Sequence, residues 1–142
     1  MLFVQSLVPP LVPPLVPPLV PPLVPLSYPD LLAAAKSRIG ETPLADALAL
    51  HAQSAPVVFL DCREPNEWNL GRIPGAVFIP RGRLESDIEA RVQRDQRVVI
   101  YCANANRSAF AADTLQQMGY TDVTSMAPGW NGWVASGGPV ES

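Results

Sequence analysis

A cysteine followed by small polar residues and an arginine is a setting in which a thiolate can meet an anion, and "YCANANRSA", residues 101–109, has that pattern. Cys102 closes the apolar run Val98-Val99-Ile100, and Arg107 opens a segment with helical character that runs to Gly119. If the run is a parallel strand, Cys102 stands at its carboxyl end, and the N–H groups of the loop after it lack carbonyl partners and can converge on an anion. The same field lowers a thiol pKa, and a nearby guanidinium adds to it. A thiolate nucleophile then needs no histidine base, which matters because the single histidine, His51, lies in an unrelated segment. The residues taken alone read equally well as a buried cysteine that closes a strand, since cysteine is among the most buried residue types. Cys62, after Asp61 at the end of another apolar run, fits that packing reading, with no loop of donors behind it.

The elements that must position these residues alternate along the chain. "YPDLLAAAKSR" predicts a short helix with Pro29 in its first turn, and "ETPLADALALHAQ" a second, with Thr42 as N-cap, Pro43 at the first helical position and Leu44, Ala47 and Leu48 on its buried stripe. His51 falls near the C-terminal end of that helix, where a histidine is commonly solvated or offsets the helix dipole. "PVVFLD", residues 56–61, is short and apolar enough for a buried strand. A helical turn over Glu64 to Leu70, a stop at Gly71 and a short strand over Ala76 to Ile79 follow. "RLESDIEARVQ" predicts a polar helix with Leu84, Ile88 and Val92 on one face. "RVVIYC" is the second apolar strand, "RSAFAADTLQQMGY" a helix, "DVTSM" a strand and "PGWNGWVASGG" a last short helix. Strands alternating with helices predict an α/β fold with a parallel sheet covered on both faces, and ligands in such sheets sit at the carboxyl ends of the strands.

Bulk properties narrow the function classes. With 142 residues the chain suits one domain with a sizeable core. The net charge of -3 and the lack of any basic block exclude an electrostatic footprint for nucleic acid. Two cysteines without C-x-x-C spacing and one histidine make no zinc set, so neither a metal nor a cofactor is expected. A disulfide is open on count alone, but a domain of this size does not need one, and reduced thiols in a cytoplasmic protein are the expectation. Residues 7–25 contain only Leu, Val and Pro, with "LVPP" four times from Leu7 to Pro22. Paired prolines every four residues forbid a regular helix, so a membrane span is not expected; nor is a secretory signal, because no Lys or Arg precedes the run. Residues 1–26 therefore predict a disordered proline-rich tail of polyproline-II character, followed by a helical lead-in over 27–40 and a folded domain over 41–142.

Three stretches together resemble the rhodanese-like domain family. "DCREPNEWNLGRIPGAVFIP" resembles the family's first signature, an Asp-x-Arg strand end followed by Glu, Gly-His-Ile-x-Gly-Ala and a short strand; "YCANANRSA" resembles the active-site loop Cys-x-x-Gly-x-Arg-Ser; and "PGWNGWVASGGPVE" resembles the terminal Gly-Gly-x-x-x-Trp helix and its end. The resemblance runs from about Glu41 to Glu141, in order and spacing. It implies a rhodanese-like three-layer fold with a five-stranded parallel sheet, and a single-domain thiosulfate sulfurtransferase. Carried over by position, Cys102 would take the outer sulfur of thiosulfate or a related donor, release sulfite and hold the sulfur as a persulfide for a thiol, cyanide or protein acceptor. The N–H groups of Ala103, Asn104, Ala105, Asn106 and Arg107 would stabilise thiolate and persulfide, Arg107 would neutralise the donor's oxyanion, and Arg63 is a second candidate for anion contact. Arg63 reads equally as a structural partner of Asp61 or Glu67. The resemblance also separates the chain from cysteine phosphatases of the same fold, which hold phosphate in a Cys-x5-Arg loop; here the loop is Cys-x4-Arg.

The chain departs from the family pattern at three places. The loop glycine is Ala105, which would be strained wherever the backbone needs a positive φ. The histidine of Gly-His-Ile is Arg72, and the Gly-Gly pair reads Pro128-Gly129. These departures keep a second expectation open, a slow or inactive rhodanese-like module that binds a partner or an anion, and a third, a redox-sensing thiol.

Overall fold

The computed structural model describes residues 24–142; the expected tail, up to residue 23, lies outside the described residues. A five-stranded, all-parallel sheet with strand order β1-β5-β4-β2-β3 organises the domain. Its strands are β1 (Gly40–Pro43), β2 (Val58–Asp61), β3 (Val77–Phe78), β4 (Arg97–Tyr101) and β5 (Asp122–Ala127). The helices are α1 (Tyr28–Arg38), α2 (Leu44–Ala52), α3 (Pro65–Leu70), α4 (Leu84–Asp87), α5 (Asn106–Gln117) and α6 (Trp130–Ala135).

Side chains alternate across the central strands and build a core on each face of the sheet. Leu60, Val98 and Ile100 point with Leu84, Ile88, Ala111, Ala112 and Leu115 into one core. Phe59, Val99 and Tyr101 point with Ala47, Met126 and Trp133 into the other. Burial of both faces explains why β2 and β4 read as continuous apolar runs rather than as alternating ones.

Local signals account for most of the helices. Ser27 caps α1, its hydroxyl accepting the Asp30 N–H at 3.2 Å while the Asp30 carboxylate accepts the Ser27 N–H at 3.3 Å. At the other end of α1, Arg38 forms two 2.8 Å bonds to Asp113 and ties this helix to α5. α3 begins at the Glu64–Pro65 step and stops at Gly71, as the spacing predicts. α5 ends before Gly119, whose φ of +93° is a left-handed turn.

Two expectations need correction. Thr42 is not a helix cap: residues 40–43 form edge strand β1, paired with β5, and the Thr42 hydroxyl bonds that of Thr124, so α2 starts at Leu44 without a side-chain cap. A four-residue polar edge strand ending in proline carries no apolar pattern; only its partner β5 defines it. The helix expected over residues 83–93 breaks into a 3-10 turn at Arg81–Arg83, the short α4 and a second 3-10 turn at Ile88–Ala90. Its buried face is as expected, with Leu84 and Ile88 fully buried and Val92 nearly so. Packing of that face, not continuous helical hydrogen bonding, holds the segment.

Candidate active site

The site is assembled at the carboxyl end of β4. Cys102 is buried there, and the chain turns through residues 103–105 into α5. The Ser108 N–H donates to Cys102 Sγ at 3.2 Å, and the Ser108 hydroxyl lies 3.4 Å from the same sulfur. That hydroxyl is joined in turn to the Ser125 hydroxyl of β5 at 2.7 Å, so a chain of two buried hydroxyls ends on the sulfur. The Asn104 N–H also favours negative charge on Cys102. Helix N-termini leave their first N–H groups without intrahelical acceptors; here one of them, that of Ser108, finds its acceptor in the cysteine sulfur.

A second thiol completes the setting. Cys62 follows β2, the neighbour of β4, so the two cysteines stand side by side at the carboxyl end of the sheet, and the Cys62 thiol donates to the Tyr101 carbonyl at 3.5 Å. The neighbouring Cys62 thiol, followed by the hydrogen bonds of Ser108 and Asn104, outweighs burial and lowers Cys102 to about 5. The same proximity, together with burial and the facing negative sulfur, pushes the Cys62 thiol well up. With Cys62 raised and Cys102 lowered, the proton rests on Cys62 and Cys102 is the thiolate.

Ala105 occupies the left-handed region with φ 73° and ψ 8° and is almost fully buried. The loop therefore asks of this position what glycine supplies at no steric cost, and alanine holds it at a penalty of about 1 kcal/mol. Asn104 helps to hold the turn, its side-chain oxygen accepting the Asn106 N–H at 3.3 Å.

The outer wall of the loop is fastened from two sides. Arg107 makes a two-pronged ion pair with Glu67 of α3, at 2.7 and 3.0 Å. That pair holds the Glu67 carboxyl at about 2, and Glu67 also accepts the Glu64 N–H at 3.0 Å, so one carboxylate both caps α3 and anchors the loop. On the other side, the N–H groups of Trp130 and Asn131 donate to the carbonyls of Cys102 and Ala103 at 2.7 and 3.1 Å. Gly129, with φ +100°, permits this approach: a Cβ there would stand 2.6 Å from the Cys102 carbonyl oxygen and 2.9 Å from that of Ala103. With their carbonyls tied outward to α6, residues 102 and 103 leave their inner side to N–H groups.

Among the residues singled out from the sequence, Cys102, Ala103, Asn104, Ala105, Asn106 and Arg107 form one loop. Arg63 sits elsewhere: it is 2% exposed, its guanidinium grips Asp61 at 2.6–3.1 Å and the Gly71 carbonyl at 2.7 Å, and it lies over the Trp130 ring at 4.6 Å. Of its two open partners Asp61 is the one formed, and the guanidinium anchors the segment after β2. Arg72, in place of the family histidine, bonds Glu141 at 3.1 Å and covers the Trp68 ring. His51 donates to or accepts from no loop residue; its Nε2 lies 2.9 Å from the Pro74 carbonyl beside a cavity of about 280 Å³ that no residue of the 102–107 loop lines. The sequence offered Glu67 only as a partner of Arg63, and gave no role to Ser108, to Ser125 or to Cys62 beside Cys102.

A thiolate at the carboxyl end of a central parallel strand, beside the N-terminus of the next helix, defines a cysteine-bearing α/β domain. The rhodanese-like domain model matches residues 44–136, and the chain belongs to that family. An uncharacterized protein of Bacillus subtilis is 36% identical over 58% of this chain, which spans 63% of that relative's length, less than two thirds. The thiosulfate sulfurtransferase GlpE of Pseudoalteromonas translucida is 32% identical over 56% of this chain and 75% of its own length. A solved structure from Rhodopseudomonas palustris, described as a protein of unknown function and possible tyrosine phosphatase, superposes with a TM-score of 0.76 at 36% identity, covering 85% of this chain and 98% of that one. Among the described residues no helix is long and apolar enough to cross a membrane, and no group of His, Cys, Asp and Glu could hold a metal ion.

Proposed function

We propose that the domain is a sulfurtransferase that moves a sulfane sulfur from thiosulfate or a related small donor to a thiophilic acceptor, a thiol, cyanide or a protein, through a persulfide on Cys102. The observation that carries this reading is the Cys102 sulfur itself, met by the Ser108 N–H at 3.2 Å and lowered to about 5. The Cys102 thiolate attacks the outer sulfur of the donor, the sulfur–sulfur bond of the donor breaks, and sulfite leaves with the electron pair. The acceptor then removes the outer sulfur from the persulfide and restores the thiolate. The N–H groups of residues 103–107 offset the charge as it passes from thiolate to persulfide. Arg107, paired with Glu67, serves the donor's oxyanion with the donors that the pair leaves over and holds the loop in shape. The name of the relative from Pseudoalteromonas translucida supports thiosulfate as the donor.

The description of the Rhodopseudomonas palustris structure raises phosphate-ester hydrolysis as the competing chemistry. The Cys-x4-Arg loop argues against it, since it has one N–H group fewer than the Cys-x5-Arg cradle that surrounds a phosphoryl group. The slow or inactive module has an observation of its own, the left-handed Ala105.

The test is sulfite release from thiosulfate in the presence of cyanide. The wild-type chain is expected to turn over, Cys102→Ser to be inactive, and Cys62→Ser to retain turnover. Activity in Cys102→Ser equal to wild type removes the reading. Hydrolysis of p-nitrophenyl phosphate that depends on Cys102, with no sulfite formed, transfers it to the phosphatase class.

A further inference from the structure

Cys62 stands beside the reacting sulfur by construction of the sheet. β2 and β4 are in parallel register through Asp61 and Tyr101, and the Cys62 N–H extends the ladder by donating to the Tyr101 carbonyl at 3.1 Å. The next pair in that register is Cys62 with Cys102. Leu60 and Ile100, register partners two residues earlier, belong to the same core as both cysteines, so the two thiols leave the strands on one face of the sheet. Neighbouring strands lie about 4.8 Å apart, within the Cα separation of about 4.4–6.8 Å that a disulfide spans. Both thiols are free and buried in the same core. Packing alone does not require a second sulfur at this point, and the sulfur transfer described above gives Cys62 no step.

We propose that Cys62 is a resolving thiol, which discharges a Cys102 persulfide from within the protein, releases hydrosulfide and leaves a Cys62–Cys102 disulfide. The inference rests on the persulfide reading of Cys102. In the step, the Cys62 sulfur forms a bond to Cys102 Sγ, and the bond between Sγ and the outer sulfur breaks. The electron pair of the broken bond leaves with the outer sulfur, and the Cys62 proton passes to it. Two protein sulfurs are oxidised to a disulfide and the sulfane sulfur is reduced to sulfide, so the persulfide is the oxidant and no other is needed. A cellular thiol or dithiol reductant reopens the disulfide before the next round.

The order of events follows from which sulfur holds the proton. While Cys102 is a thiolate, Cys62 keeps its proton and the site holds one nucleophile. Once sulfur is loaded, the negative charge moves to the outer atom, and Cys102 Sγ changes from hydrogen-bond acceptor to electrophile in front of Cys62. An external acceptor competes with this step. With acceptor present the sulfur is transferred; without it the domain yields sulfide and closes on itself.

The experiment mixes the reduced full chain with thiosulfate under anaerobic conditions, without cyanide or added thiol, and follows sulfite, sulfide and intact mass. The expected result is a single equivalent each of sulfite and sulfide per chain, a product lighter than the reduced protein by two hydrogens, and a non-reducing peptide map that joins Cys62 to Cys102. Cys62→Ala and Cys62→Ser, either of which removes the resolving sulfur, are expected to form sulfite, to retain the added mass of one sulfur on Cys102 and to lose sulfide release at least tenfold. A wild-type chain that forms sulfite but keeps a lasting persulfide without sulfide overturns the resolving role and leaves the transfer reading in place. Absence of sulfite from the wild type overturns both.

Discussion

Arg107 and Glu67 face each other through two parallel bonds of 2.7 and 3.0 Å, and this pair joins the start of α5 to the start of α3. The two residues come from different signature stretches, and their side chains are about one third exposed. Water screens the pair, so its role is geometric more than energetic. Glu67→Gln keeps the shape but not the charge of the second prong, and Arg107→Lys keeps the charge but not the fork. Both variants are expected to remain folded, with kcat/KM for thiosulfate reduced on the order of tenfold, equivalent to about 1.4 kcal/mol. Unchanged kinetics in both would show that the loop does not depend on this tie.

Ala105 holds a left-handed backbone with φ 73°. Ala105→Gly is therefore expected to stabilise the fold by about 1 kcal/mol, less the greater freedom glycine has in the unfolded chain. The midpoint of thermal unfolding should rise by about 3 °C. A lower midpoint would mean that the loop accepts alanine without strain. If the rate of sulfite formation also rises severalfold, alanine had been distorting the donor ring; an unchanged rate confines the penalty to stability.

The thiolate has a pH signature. With Cys102 at about 5, its alkylation by iodoacetamide should rise through that pH and then level off, well before an ordinary thiol near 8.5 begins to react. Cys62→Val removes the largest contribution to the lowering, so the midpoint should move upward. A midpoint that stays in place would assign the lowering to the Ser108 and Asn104 donors alone.

The same titration appears in stability. The native pKa of Cys102 lies below its unfolded value, so between about pH 5 and 8.5 the unfolded chain binds the extra proton and stability grows with pH. That contribution is fully present above the unfolded pKa and is lost as the pH falls through about 5. Cys62, raised in the native state, acts only above its unfolded pKa, where it makes stability fall again. Denaturant unfolding of wild type and Cys102→Ala across this range should therefore converge toward pH 5 and differ more at pH 8. Parallel curves would remove the thiolate from the native state.

Gly129 bears on the loop through its lack of a side chain. Gly129→Ala places a Cβ 2.6 Å from the Cys102 carbonyl oxygen and imposes a left-handed φ of +100° on alanine. The variant is expected to lose about 2 kcal/mol or more of stability and most of its sulfite formation, because α6 must retreat from the carbonyls it holds. Wild-type stability and turnover in Gly129→Ala would show that α6 does not shape the loop.

Much of this architecture was legible along the chain because its causes are local. Short continuous apolar runs mark β2 and β4, Pro29 marks the first turn of α1, Gly71 and Gly119 mark helix ends, and a cysteine after an apolar run marks the strand end where ligands sit. The position of Ala105 within the loop was enough to foresee strain there if φ is positive, and φ is positive. What the chain alone left open depends on which segments become neighbours. β1 exists only beside β5, Arg63 chose Asp61 while Glu67 went to Arg107, and Ser125 of β5 reached Ser108 of α5. The same holds for Cys62. It read as ordinary packing until the order β1-β5-β4-β2-β3 set β2 against β4 in register and put a second sulfur beside the first. Hydrogen bonds and thiol pKa values act over a few ångströms, and only the assembled sheet brings those atoms within that distance.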